Sequence, residues 1–185
     1  MRKFVTVALA LSISCGAQGG AFAQSQRVDF KGTPMGISLE DLKASVGISD
    51  LHCIDLDSET SSCWSGDVDM TYAGQLVRHF STDFLHGKLA GVSVQTLGGT
   101  GEKIEQVLSA KYGRPKVKRK VDQAMKNGAK YKMQVTEWRL PSGDEISIQD
   151  HPSPVDEVFV SLESSSWVKW RKRSQTATAK EKSDI

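Results

Sequence analysis

The sequence predicts an α+β domain: an antiparallel sheet with two helices packed on one face. Three observations carry that prediction. Two short amphipathic segments each end on a glycine, strand-like stretches surround them, and compact turn signals join the strands.

Ser38 is suited to cap a first helix, because Glu40 and Asp41 follow in the first turn where the helix dipole favours negative charge. Leu39, Leu42 and Val46 fall on one face, and Gly47 ends it. Strands are expected over 51–56 and 62–72, then a hairpin of 76–85 and 89–97 turning at His86-Gly87. Thr100 opens the second helix, with Ile104, Val107, Leu108 and Tyr112 at helical spacing and Gly113 and Pro115 as the stop. Further strands are read over 117–123, 129–140, 145–149 and 155–162, with turns at Lys126-Asn127-Gly128 and Pro141-Ser142-Gly143-Asp144.

The halves 30–97 and 98–163 look alike, each a helix followed by strands. Their returning strands read Val92-Ser93-Val94-Gln95 and Ile146-Ser147-Ile148-Gln149. Two readings stand: an internal repeat, or the likeness of any two alternating strands. From 164 to 185 the composition turns to Ser, Thr, Ala, Lys and Glu, and a disordered basic tail is expected.

Arg2 and Lys3, the apolar run 4–14 and Ala21-Phe22-Ala23 have the layout of an export signal, 1–23, cleaved after Ala23. The run is too short to span a bilayer, and no later segment is apolar enough. Cys15 as a lipid-carrying cysteine is a rival reading, with Leu11 one place too early for it. The remainder is expected to be one domain, 24–163, in the periplasm or secreted. Cys53 and Cys63, the remaining cysteines, then read as a disulfide. The alternatives are buried thiols, or a metal site with His52 or His79 at a spacing foreign to zinc.

Charge is nearly balanced overall but segregated along the chain. Glu40, Asp41, Asp50, Asp55, Asp57, Glu59, Asp67 and Asp69 stand against Lys43 alone. Between 111 and 132, nine cations, from Lys111 and Arg114 to Lys130 and Lys132, stand against Asp122 alone. One reading makes these strand faces that attract each other within the fold. The other makes Lys116, Lys118, Arg119 and Lys120 a basic surface for an acidic partner outside the cytoplasm. Nucleic acid is not expected there. Trp167, Lys169, Trp170, Arg171, Lys172 and Arg173 form a second candidate, because rings beside cations suit a membrane interface or an anionic polymer. Alternatively they form a final strand packed on the sheet.

No motif points to catalysis. Gly98-Gly99-Thr100-Gly101-Glu102-Lys103 could cradle a phosphate but matches neither phosphate-loop nor dinucleotide spacing. Asp55, Asp57 and Glu59 alternate like early calcium ligands, with Thr60 where that loop needs Gly. Asp67 and Asp69 share a strand face, and the histidines are His52, His79, His86 and His151. No metal, cofactor or catalytic residue is assigned.

Phe30-Lys31-Gly32-Thr33-Pro34-Met35-Gly36, the cysteine pair, Tyr72-Ala73-Gly74, the turn at 84–88, Lys111-Tyr112-Gly113-Arg114-Pro115 and Trp138 together resemble a group of small exported proteobacterial proteins of unassigned function. At fold level the plan is similar to the beta-lactamase-inhibitor-protein and outer-membrane-assembly-lipoprotein type of domain. That resemblance implies a binding module rather than an enzyme. The expectation is a non-enzymatic interaction module whose partner is a protein or an anionic envelope component, with oligomeric state open. The alternatives are an envelope hydrolase with a dispersed site around His52 or His79 and Asp67 or Asp69, or a peripheral protein held by its basic aromatic tail.

Overall fold

Tight turns with positive φ shape the first third of the chain. The computed structural model describes residues 26–66, 68–97, 101–124, 128, 130–151 and 156–183, with backbone alone at 97 and 177–183. Residues 1–25, which hold the expected export signal and the Cys15 of the rival lipid-carrying reading, lie outside the described residues, as do Asp67, Gly98 to Thr100 and the Lys126-Asn127 turn.

Strands β1 (Asp29–Phe30) and β2 (Thr33–Pro34) form a small hairpin, with Lys31 at φ 53 and Gly32 at φ 87. Phe30 stacks on Tyr72 at 5.5 Å and is fully buried. Helix α1 (Leu39–Val46) begins as expected, the Ser38 hydroxyl accepting the Asp41 N–H at 3.2 Å, and Gly47 closes it in the left-handed conformation.

Next come β3 (His52–Asp55), β4 (Thr60–Ser65), β5 (Thr71–Tyr72), β6 (Gln75–Leu85) and β7 (Lys88–Leu97). His86 at φ 52 and Gly87 at φ 70 make the turn between β6 and β7, the twist a two-residue hairpin loop favours. Cys53 and Cys63 face each other across β3 and β4 and are joined by a disulfide. Helix α2 (Gly101–Tyr112) leads into β8 (Val117–Ala124), β9 (Lys130–Arg139), β10 (Glu145–His151) and β11 (Glu157–Glu163). Helix α3 (Ser165–Ser183) ends the described chain.

The large sheet runs β3-β4-β6-β7-β11-β10-β9-β8, every neighbouring pair antiparallel, with β5 paired to β6 beside the path. Residues paired across strands point to the same side, and neighbours along a strand to opposite sides. Two rows therefore face one way: Phe80, Val94, Val160, Ile148 and Thr136, then Thr82, Val92, Leu162, Ile146 and Trp138. All are buried. Leu42 of α1 and Ile104, Leu108 and Tyr112 of α2 join the apolar members of these rows in one core. The Trp138 indole N–H also donates to the Gly113 carbonyl at 2.8 Å, which pins the turn after α2.

The tail corrects the sequence expectation. From Ser165 it is a helix, neither disordered nor a strand, because its partners lie elsewhere in the chain. Ser164 accepts the Trp167 N–H at 3.3 Å, Asp144 accepts the Ser165 N–H at 2.7 Å, and Trp167 packs on Leu85 and Ala90. Local composition carries none of these contacts. No helix among the described residues is long and apolar enough to cross a membrane.

Candidate functional site

The sheet side opposite the two buried rows is polar and regular. Between those rows, and pointing the other way, Ser81, Ser93, Ser161, Ser147 and Glu137 stand in register across five strands. Each is partly exposed, and the Ser93 and Ser161 hydroxyls are 3.4 Å apart. The next row on that side is Val135, Gln149, Phe159, Gln95 and His79, where Phe159 is 37% exposed. Hydroxyls and carboxamides can each donate and accept, so the serines of the first row and Gln149 and Gln95 of the second offer hydrogen bonds without charge, while Glu137 is paired with Arg119.

The row on the other flank is acidic and covered. Glu145 and Glu163 pair across β10 and β11, and Gly91 separates Glu163 from Asp83. A Cβ at Gly91 would lie 3.3 Å from an Asp83 carboxylate oxygen and 3.7 Å from the Trp167 ring, so glycine makes room for both. Helix α3 lies over this row. Its Arg171 reaches Glu163 at 2.5 Å and Glu145 at 3.4 Å, and Lys172 reaches Glu145 at 3.2 Å. Burial holds the Asp83 carboxyl above its ordinary pKa against a Ser62 hydrogen bond. Burial raises Glu163 as well, with Arg171 opposing it and Glu145 and Asp83 adding to it.

Between Arg171 and Lys172 on one side and the β8–β9 end of the sheet on the other lies a groove of about 520 Å³. Its floor includes Ser147, Gln149, Val135 and Met133. Charged side chains, among them Arg119, Glu137 and Arg139, line it as well, so the groove mixes apolar, hydrogen-bonding and ionic groups and suits a polar partner.

The residues singled out in the sequence separate into two groups. Lys116, Lys118, Arg119 and Lys120 lie on or beside β8, an outer edge of the sheet, with Lys118 paired to Glu105 at 3.0 Å and Arg119 to Glu137 at 2.8 Å. Trp167, Lys169, Trp170, Arg171, Lys172 and Arg173 lie on α3. Trp167 is buried, Trp170 stacks on it at 4.7 Å, and Arg171 and Lys172 are engaged with the sheet. Lys169 and Arg173 are exposed beside His86.

Other candidates are already occupied by the chain's own groups. The Asp150 carboxylate accepts the Gly101 N–H at 3.1 Å, so an internal anion sits at the α2 N-terminus where a phosphate would bind. Asp57 accepts the Glu59 and Thr60 N–H groups at 2.8 and 2.7 Å, which makes it a turn former, and these bonds lower its pKa. Among the described residues no cluster of three or more His, Cys, Asp or Glu is placed to hold a metal. His151 bonds the Tyr131 hydroxyl at 2.8 Å, His52 lies 6.5 Å from the Trp64 ring, and Asp69 is exposed.

Sequence reasoning missed the serine row. Its trace was visible in Phe80-Ser81-Thr82, Val92-Ser93-Val94, Ile146-Ser147-Ile148 and Val160-Ser161-Leu162, each a serine between residues that turn to the core. Comparison with protein-family models, curated proteins and solved structures finds no match to this chain.

Proposed function

We propose that this protein is a non-enzymatic binding module working outside the cytoplasm, and that it engages a protein through the open side of its sheet. The observation that carries the reading is the register of Ser81, Ser93, Ser161 and Ser147, a neutral row that α3 leaves uncovered while closing the acidic row beside it. A face that pairs its charges internally and presents partly exposed hydroxyls is suited to a partner that supplies matching hydrogen bonds. The Cys53–Cys63 disulfide fits an oxidising compartment, in keeping with the export signal read at 1–23.

The same reading takes α1 and α2 as two helices on the buried side. It takes each helix with its following strands as a repeat, 30–97 and 98–163. Supporting it, the order β3-β4-β6-β7 followed by β11-β10-β9-β8 runs from edge to centre in one half and from centre to edge in the other. On this plan β11, with Val160-Ser161-Leu162, is the counterpart of β7, rather than β10 with Ile146-Ser147-Ile148. The resemblance to inhibitor-protein and assembly-lipoprotein domains belongs to the same proposal.

A photo-reactive residue placed at Ser93 or Ser147 tests the assignment against one at Val107, which is exposed on α2. One cross-linked species arising at the serines and absent at Val107 is the expected result. Equal labelling from both places would sink the assignment.

A further inference from the structure

Part of each charged segment sits at an opposite edge of the sheet. Asp55 lies on β3, with exposed Asp50, Asp57 and Glu59 flanking it, and β3 is one outer edge. Lys116, Lys118, Arg119 and Lys120 lie on or beside β8, the other edge. Strand spacing of about 4.8 Å over the intervening steps puts the edges roughly 34 Å apart along the sheet. That exceeds a Debye length at moderate salt, so attraction between the two edges inside one molecule is negligible.

We propose that the β3 edge of one molecule docks antiparallel on the β8 edge of a second copy, so that the sheet continues from copy to copy. Three observations carry this. First, the alternation of strand directions makes β3 and β8 antiparallel, so a second copy displaced along the sheet presents β3 to β8 in the antiparallel sense, each side continuing the same side.

Second, the side chains match. A register pairing Asp55 with Lys120 sets Ile54 opposite Val121 on the open side. Asp57 and Glu59, in the β3–β4 turn, then fall toward Lys118 and Lys116. Ile54 and the adjacent Leu56 are 49% and 55% exposed, apolar surface that such pairing would cover.

Third, β3 is exposed at every residue and carries no lysine, the usual guard of an edge strand. The cations of β8 repel another basic strand and favour an acidic one. The contact is head-to-tail, so it leads to rings or open chains rather than a closed pair.

Sedimentation velocity of the purified protein at low and high salt is the test. Species larger than the monomer are expected at low salt, lost at high salt. Variant Ile54→Lys/Asp55→Lys and variant Lys116→Glu/Lys120→Glu, each with unchanged far-UV circular dichroism, are expected to be monomeric alone and to associate when mixed. Monomeric wild type at high concentration and low salt would overturn the proposal. So would association that survives both charge reversals, or blocked variants that fail to pair. The serine-row cross-link can fail without affecting any of these results.

Discussion

The Asp144 carboxylate accepts the Ser165 backbone N–H at 2.7 Å, and its second oxygen accepts the Val28 N–H at 2.9 Å. Asp144 is 1% exposed, so removing the carboxylate leaves both amides without their acceptor at a buried place. Asp144→Ala should therefore cost about 3 kcal/mol, and Asp144→Asn, which keeps one acceptor, about half of that. Urea denaturation measures both. Equal stability of wild type and Asp144→Ala would show that α3 and the N-terminal segment are not anchored here.

Gly101 opens α2, and alanine at such a place normally stabilises a helix by about 0.5–1 kcal/mol. Here the added Cβ would lie 2.7 Å from an Asp150 oxygen and 2.9 Å from its Cβ. Gly101→Ala is expected to destabilise by about 1–2 kcal/mol, and to become neutral or favourable in an Asp150→Gly background. A double-mutant cycle reads the change of sign directly.

Trp167 is the side chain that ties α3 to the sheet, packed on Leu85 and Ala90 with Trp170 stacked outside it. This cluster is small and peripheral to the main core. Trp167→Ala should cost about 2–3 kcal/mol, below the range for a central aromatic. Limited proteolysis should then cut within 165–183 faster than in the wild type. Unchanged cleavage would mean that the Asp144 anchor and the Arg171 and Lys172 ion pairs hold the helix without the ring.

What was legible in the sequence was local. Ser38, Gly47 and Gly113 act within a turn of their own position, so α1 and the end of α2 were readable, as was the His86-Gly87 hairpin. The last helix was not, because Asp144, Glu145 and Leu85 stabilise it from far along the chain. The serine row was half legible. Each hydrophobic-serine-hydrophobic triplet shows which way its serine points, but their alignment depends on β7 pairing with β11, a non-local choice of register. The charge segregation was plain, while its assignment to opposite edges needed the strand order.

Asp83 gives a pH dependence of defined sign. Burial raises its folded-state pKa, so the folded chain holds that proton more tightly than the unfolded chain does. Its contribution to stability is then greatest below the unfolded carboxylate value of about 3.9, falls as pH rises toward the raised folded value, and is level beyond. Asp83→Asn removes that decline. Relative to wild type, the variant should gain thermal stability as pH rises from acid to neutral, with the gain levelling off. A variant that loses ground toward neutral pH would show that the ionised carboxylate is stabilised where it sits.

Reduction of the disulfide tests stability and the edge together. The Cys53–Cys63 bond closes a short loop, with a sequence separation of 10, worth about 2.7 kcal/mol in the chain-entropy account. Cys63 is buried and Cys53 exposed, so Cys53→Ser leaves the core side chain in place while freeing β3 from its staple. Stability should fall by about 2–3 kcal/mol, measured by denaturant unfolding of oxidised protein against the variant. Freed at its outer strand, the sheet should also lose the low-salt association assigned to β3, because a frayed edge is a poorer template for pairing. Full association in a destabilised Cys53→Ser variant would separate the two effects, leaving the disulfide a role in stability alone.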